Sequence, residues 1–171
     1  MNNVPWHIRA AAPEDVGAII KLIVDLAIYE KAADRVKVTP ELLQKNLFEH
    51  KYAHALLAYA GPEGSPDAQP VGFALYFFNF STWTGKPGLY LEDLYVIPEH
   101  RGTGIGKALF GHLGKIAIEK DCGRVDWQVL DWNQPSIDFY EKGLEAKMLK
   151  EWRSMRLEGD EIQRLLKFLA S

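Results

Sequence analysis

The stretch LYLEDLYVIPEHRGTGIGKALFGHLGKIAI, residues 89–118, constrains the fold more tightly than any other part of the chain. Its first eight residues are a β-forming run. A proline and three glycines at alternate positions follow, and then Ile105, Leu109, Leu113, Ile116 and Ala117 recur at helical spacing. The order is therefore strand, glycine loop, helix. Such a loop exposes several backbone N–H groups, the positive end of the helix dipole adds to their field, and glycine lets an anion approach the backbone closely. The arrangement suits phosphate groups.

Spacing separates the phosphate motifs that compete for this loop. A P-loop requires glycine five positions before Gly106 and a hydroxyl residue after Lys107, where this chain has Arg101 and Ala108. A dinucleotide fingerprint starting at Gly102 requires glycine at position 107, and no initial βαβ unit surrounds it. What fits is Arg101-x-x-Gly104-x-Gly106.

The rest of the chain supplies a mixed α and β order. Residues 14–30 place Val16, Ile19, Ile20, Ile23 and Ala27 on one helical face behind Pro13 and two acids, and Thr39-Pro40-Glu41 opens a second helix. HALLAYAG (54–61) and VGFALYFF (71–78) read as a hairpin, and RVDWQVL (124–130) reads as a further strand. A short helix then spans DWNQPSIDFYEK, followed by a β-like MLKEWRSMRLEG and a C-terminal helix EIQRLLKFLA. With 171 residues, 47% of them hydrophobic, and no linker, residues 1–171 read as a single domain.

A net charge of −3 offers no broad basic field for nucleic acid or an anionic membrane surface. The longest apolar run, 71–80, is about half of a membrane-spanning helix. One cysteine, Cys122, forms no internal disulfide, and MNNVPWHIRAA lacks the form of an export signal, so the cytoplasm is the expected compartment. The five histidines show no metal-ligand spacing, and no metal is expected.

The loop RGTGIG, preceded by LEDLYVIPEH and followed after a strand by Asn133-Gln134-Pro135-Ser136 and Phe139-Tyr140, resembles the GNAT superfamily of N-acetyltransferases. LAIYE, TWTGK, LYLEDLYV and DWNQPSIDFY carry a closer likeness to its branch that acetylates diamines, polyamines and thialysine. The resemblance implies an α/β fold with a central mixed, mostly antiparallel sheet, helices on both faces and a splay where acetyl-CoA enters. It implies backbone contacts to the pantetheine arm from Leu94, Tyr95 and Val96. The pyrophosphate would lie on the loop Arg101, Gly102, Thr103, Gly104, Ile105, Gly106 and Lys107, with Asn133 and Ser136 also at the cofactor. A homodimer is expected on the same ground.

Acetyl transfer to an amine poses two proton problems. A lysine-like ammonium of pKa about 10.4 is neutral in roughly one molecule in 2,500 at pH 7, a penalty of about 4.6 kcal/mol unless a base or desolvation intervenes. The departing thiolate must also be protonated or stabilised. The resemblance assigns the second task to Tyr140 and favours Glu92 for the first, directly or through water. Asp93 is its neighbour in the strand, and alternation gives only one of the two direct access. Tyr29, Glu30 and Trp83 match residues around the amine, where a carboxylate and an aromatic face suit an ammonium. Ser81 stands where the polyamine branch often has an acid, which favours a shorter or zwitterionic amine. An amino-acid or peptide N-acetyltransferase and a non-catalytic acyl-CoA-binding module are the alternatives.

Overall fold

The computed structural model describes residues 5–169. They divide into two compact units, one ending at Gln128 and the other beginning at Val129.

The N-terminal unit is a five-stranded sheet in sequential order: β1 (Trp6–Ala10), β2 (His54–Ala60), β3 (Gln69–Ser81), β4 (Lys86–Val96) and β5 (Val125–Trp127). Every pairing is antiparallel except β4 with β5, which is parallel. That exception follows from the crossover between them, α3 (Ile105–Glu119), because parallel neighbours need such a connection. α1 (Val16–Tyr29) and α2 (Pro40–Gln44) complete the unit. Thr39 caps α2 by accepting the Leu42 N–H at 3.3 Å, with Pro40 in the first turn. The helix then loosens into a π-helical turn, Lys45–Glu49.

Helices cover both faces of the sheet. On one face Ile19, Leu22 and Leu26 of α1 pack with Leu57, Phe73 and Tyr95; on the other Ile105, Leu109 and Leu113 of α3 pack with Leu56, Val71, Leu89 and Val96. The sheet is thus buried on both sides, which explains the unbroken apolar run of β3.

β1 has no counterpart in the sequence expectations. Its five residues are a short alternating run fixed by pairing with β2, and by Arg9, which grips Asp15 with two hydrogen bonds of 2.6 and 2.8 Å. Asp15, 5% exposed, also accepts from the Tyr59 hydroxyl at 2.6 Å and the Ala12 N–H at 2.7 Å. This network locks the start of α1 to β1 and β2.

The C-terminal unit contains α4 (Gln134–Asp138), a π-helical turn Phe139–Gly143, α5 (Asp160–Gln163) and a 3-10 turn Arg164–Phe168. The β-like segment 148–159 forms no strand here, and within the described residues, which end one short of the expected terminal helix, that helix is one α turn continued as 3-10 helix. β5 is also shorter than the strand read over 124–130. Alternation alone does not make a strand where no neighbouring strand supplies hydrogen bonds.

Candidate active site

β4 carries the first part of the site, and its irregularity matters more than its sequence. Leu75 pairs with Asp93 and Tyr76 with Leu91, so Glu92 has no partner on β3 and forms a bulge. The extra residue reverses the facing of all that follows. Leu89 and Leu91 pack toward α3, while beyond the bulge Val96 keeps that side and Tyr95 packs toward α1. Regular alternation would have given Leu91, Asp93 and Tyr95 the same face. β5 pairs with β4 only over residues 89–91, so 92–96 are a strand paired with β3 alone. Such an edge accepts an extended ligand by main-chain hydrogen bonds.

The bulge assembles three carboxylates. Asp93 is pushed up to about 6, first by burial and then by the negative charges of Glu92 and Glu30. Glu92 is exposed, and Glu30, at the end of α1, is raised by burial. The chain turns sharply after Glu30, where Lys31 adopts a φ of 59° and donates its N–H to Ile28 O at 3.1 Å. A carboxylate of pKa about 6 is roughly nine-tenths ionised at pH 7, yet takes a proton far more readily than an ordinary aspartate. The cluster can hold a cation and accept a proton.

The glycine loop forms the second part. A 3-10 turn, Pro98–His100, leads from β4 to Arg101, and Thr103 donates its hydroxyl to His100 O at 2.7 Å. Gly102 and Gly104 have φ of 76° and 95°, which side-chain-bearing residues rarely adopt. A Cβ at Gly102 would meet nothing within 4 Å, so its surroundings are open. No side chain caps α3, whose first backbone bond is Ala108 N–H to Gly104 O at 3.0 Å. The N–H groups of Ile105, Gly106 and Lys107 thus begin the helix without intrahelical acceptors. This is the donor set that a pyrophosphate requires, and in this respect the residues fit acetyl-CoA.

The Arg101 side chain turns back into the protein. Its Nε donates to Val96 O at 2.8 Å, and its guanidinium lies 4.8 Å from the Tyr29 ring centroid and 5.4 Å from that of Tyr95. Arg101, Tyr29 and Tyr95 are therefore brought together, and Glu30, Glu92 and Asp93 form a second group one residue from Tyr29. Trp83 is elsewhere: it stands 88% exposed at the tip of the β3–β4 hairpin. At about 3.3 Å per residue along β4, it lies on the order of 20 Å from the bulge. Ser81 is buried at the base of that tip, its Oγ accepting the Thr84 N–H at 3.4 Å.

Asn133, Ser136 and Tyr140 belong to the C-terminal unit. Asn133, 5% exposed, caps α4 through a 3.4 Å bond from the Ser136 N–H to its Oδ1. Tyr140 sits half-buried in the π-helical turn, its ring 5.4 Å from that of Phe139, and its carbonyl accepts the Ala146 N–H at 3.0 Å. Among the described residues no group of three or more His, Cys, Asp and Glu is placed to hold a metal ion, and no helix is long and apolar enough to cross a membrane.

Sequence reasoning overlooked the Tyr95 side chain, read only for its backbone; an aromatic next to an apolar position in a strand gives no sign of facing an arginine six residues on. The bulge was equally silent.

A thialysine N-epsilon-acetyltransferase of Sus scrofa is 42% identical over 164 residues, covering 92% of this chain and 95% of its own. An L-ornithine N5-acetyltransferase of Arabidopsis thaliana is 30% identical, covering 92% of this chain and 86% of its own. An integron cassette protein from the mobile metagenome of V. cholerae superimposes with a TM-score of 0.74 at 25% identity, covering 95% of this chain and 98% of its own. The profile of the acetyltransferase (GNAT) family, whose members use acetyl-CoA as co-substrate, matches residues 13–145. Because the family profile spans most of the chain and relatives at 42% and 30% identity each cover 92% of it, this chain belongs to the GNAT acetyltransferase family and is an N-acetyltransferase.

Proposed function

We propose that the protein transfers acetyl from acetyl-CoA directly to the primary amine of a small lysine-like amino acid or polyamine. The observation that carries this reading is the Asp93 carboxylate, held at about 6 by burial, Glu92 and Glu30. Three clustered carboxylates attract an ammonium, and Asp93 accepts its proton as the amine nitrogen bonds to the acyl carbon. Glu92 at the bulge shares the task, directly or through water. Tyr29 and Glu30 receive the acceptor's charged end, while Trp83, which the family likeness suggested as a wall of the site, stands at the tip of the β3–β4 hairpin, apart from this cluster.

The thioester is the acyl donor that the co-substrate supplies. The N–H groups of the Gly102–Lys107 loop hold its pyrophosphate, and the backbone of Leu94, Tyr95 and Val96 aligns its arm. Tyr140 donates a hydrogen bond to the sulfur as the C–S bond breaks, and Asn133 and Ser136 support the cofactor side. Family likeness across residues 13–145 passes the Gln128–Val129 division, which supports one catalytic domain.

Within the proposed acceptor class, amino acids of lysine type are favoured over long polyamines. Ser81 is a buried turn residue and offers no negative charge, and the relatives that act on thialysine and ornithine support the same choice.

We read the protein as a homodimer. Met148, Leu149, Met155 and Leu157 are all exposed in the β-patterned segment 148–159, and a second copy is a natural cover for them. Its lone cysteine, Cys122, is free, which suits the cytoplasm.

Coenzyme A release with thialysine, lysine, ornithine, spermidine, putrescine and a lysine peptide, wild type beside Tyr140→Phe, tests the proposal. Turnover of amino acids above polyamines, with a large loss in the variant, is the expected result. Tight acetyl-CoA binding without turnover of any amine would instead assign a non-catalytic acyl-CoA module.

A further inference from the structure

We propose that Arg101 is a positioning residue which couples occupancy of the glycine loop to the acceptor end of α1. The proposal rests on the loop being the acetyl-CoA site and on Tyr29 and Glu30 belonging to the acceptor site. Three contacts carry it: the 2.8 Å bond from Nε to Val96 O, and the guanidinium placed 4.8 Å from Tyr29 and 5.4 Å from Tyr95.

Each contact ties the arginine to a different part of the site. Val96 is the last residue of β4, the strand edge that would receive the pantetheine arm. Tyr95 is 7% exposed and anchored in the core beneath α1, which gives the stack a rigid floor. Tyr29 ends α1, and Glu30 follows it directly. On its other side Arg101 is joined to Gly102, the first left-handed residue of the loop, and its own N–H is held by Pro98 O at 3.1 Å.

A planar guanidinium can donate in its plane and stack on aromatic faces at the same time; an ammonium cannot reproduce this combination. When an anion draws the loop amides together, the adjoining arginine transmits the change to the Tyr29 ring and fixes Glu30. Coupling of this kind is reciprocal, so a filled loop raises amine affinity and a bound amine raises cofactor affinity.

Two measurements separate this role from that of a direct phosphate ligand. In the first, amide hydrogen exchange is followed over residues 28–32 with and without coenzyme A. The wild type should show exchange slowed about tenfold on binding, and Arg101→Gln, saturated with the same ligand, should show none. This readout does not depend on which amine is acetylated, so it stands even if the proposed acceptor class fails.

In the second, steady-state constants are compared for Arg101→Gln, Arg101→Lys, Tyr29→Leu and the Arg101→Gln/Tyr29→Leu pair. Loss of the stack should raise the amine KM about tenfold, and by several-fold more than it raises the coenzyme A Kd measured by calorimetry. The pair should be no worse than Tyr29→Leu alone, because the stack that Arg101→Gln removes is already lost with the ring. Tyr29→Phe, which keeps the ring, should restore most of the amine affinity.

A coenzyme A Kd that rises as much as the amine KM, a pair whose effects add, or wild-type exchange indifferent to coenzyme A would each overturn the proposal. Arg101→Lys serves if the glutamine variant folds poorly, with the same split expected.

Discussion

Replacement of Asp93 by asparagine should stabilise the protein while disabling it, and the structure gives the size of the effect. The side chain is half-buried, and its carboxyl is raised from an ordinary 3.8 to about 6 by burial, Glu92 and Glu30. A raised carboxyl binds its proton more tightly in the folded state than in the unfolded one. The penalty is absent below the ordinary pKa, grows as pH climbs from about 4 to about 6, and is complete above that. Roughly two units at 1.36 kcal/mol each make it about 3 kcal/mol at pH 8. For a chain of this length that corresponds to a rise in Tm of about 6–12 °C in Asp93→Asn. Urea unfolding of both proteins at pH 4 and pH 8 is the assay, because pH effects shared by all other groups cancel in the difference. The curves should nearly coincide at pH 4 and separate at pH 8, with kcat/KM for the amine reduced about 100-fold or more. A stability difference that does not change with pH, or a variant less stable at pH 8, would refute the reasoning.

Asp15→Ala should cost about 3 kcal/mol, because it leaves Arg9 and the Tyr59 hydroxyl without their acceptor. Burial pushes Asp15 up, but bonds from Arg9, Tyr59 and Ala12 outweigh it and bring the group down to about 2. Its contribution should therefore be full above about pH 4 and fade as pH falls toward 2, which urea unfolding at pH 7 and pH 2.5 will show. Gly104→Ala meets no atom closer than Trp6 Cζ2 at 3.9 Å, so its penalty comes from the φ of 95°. About 1–2 kcal/mol of strain is expected, with coenzyme A binding weakened about tenfold by calorimetry. Gly72→Ala would put a Cβ 2.9 Å from Tyr95 O and 3.2 Å from Val96 Cγ2. Pressure on β4 just beyond the bulge should cost about 1–3 kcal/mol in thermal unfolding and raise the acetyl-CoA KM.

The sequence by itself determined the parts whose physics is local. Apolar residues at helical spacing from Val16 and from Ile105 fixed α1 and α3, Thr39 and Pro40 fixed the start of α2, and the spacing of Arg101, Gly104 and Gly106 excluded two phosphate motifs and left one. These signals survive in the linear chain because helix periodicity, capping and positive φ are properties of neighbouring residues. Tertiary structure alone decided what depends on partners across the fold. Pairing with β2 made Trp6–Ala10 a strand, whereas segment 148–159, with equal alternation, has no neighbouring strand among the described residues and is not one. Likewise the register of β3 against β4 forces Glu92 into a bulge, and that single unmatched residue turns Asp93 and Tyr95 toward α1. Burial and the charges of Glu92 and Glu30 then raise Asp93, and Arg101 finds Tyr29 across more than seventy positions of sequence. Neither the pKa of a carboxylate nor the direction of an arginine is a local quantity, because both are set by which groups folding brings within a few ångströms.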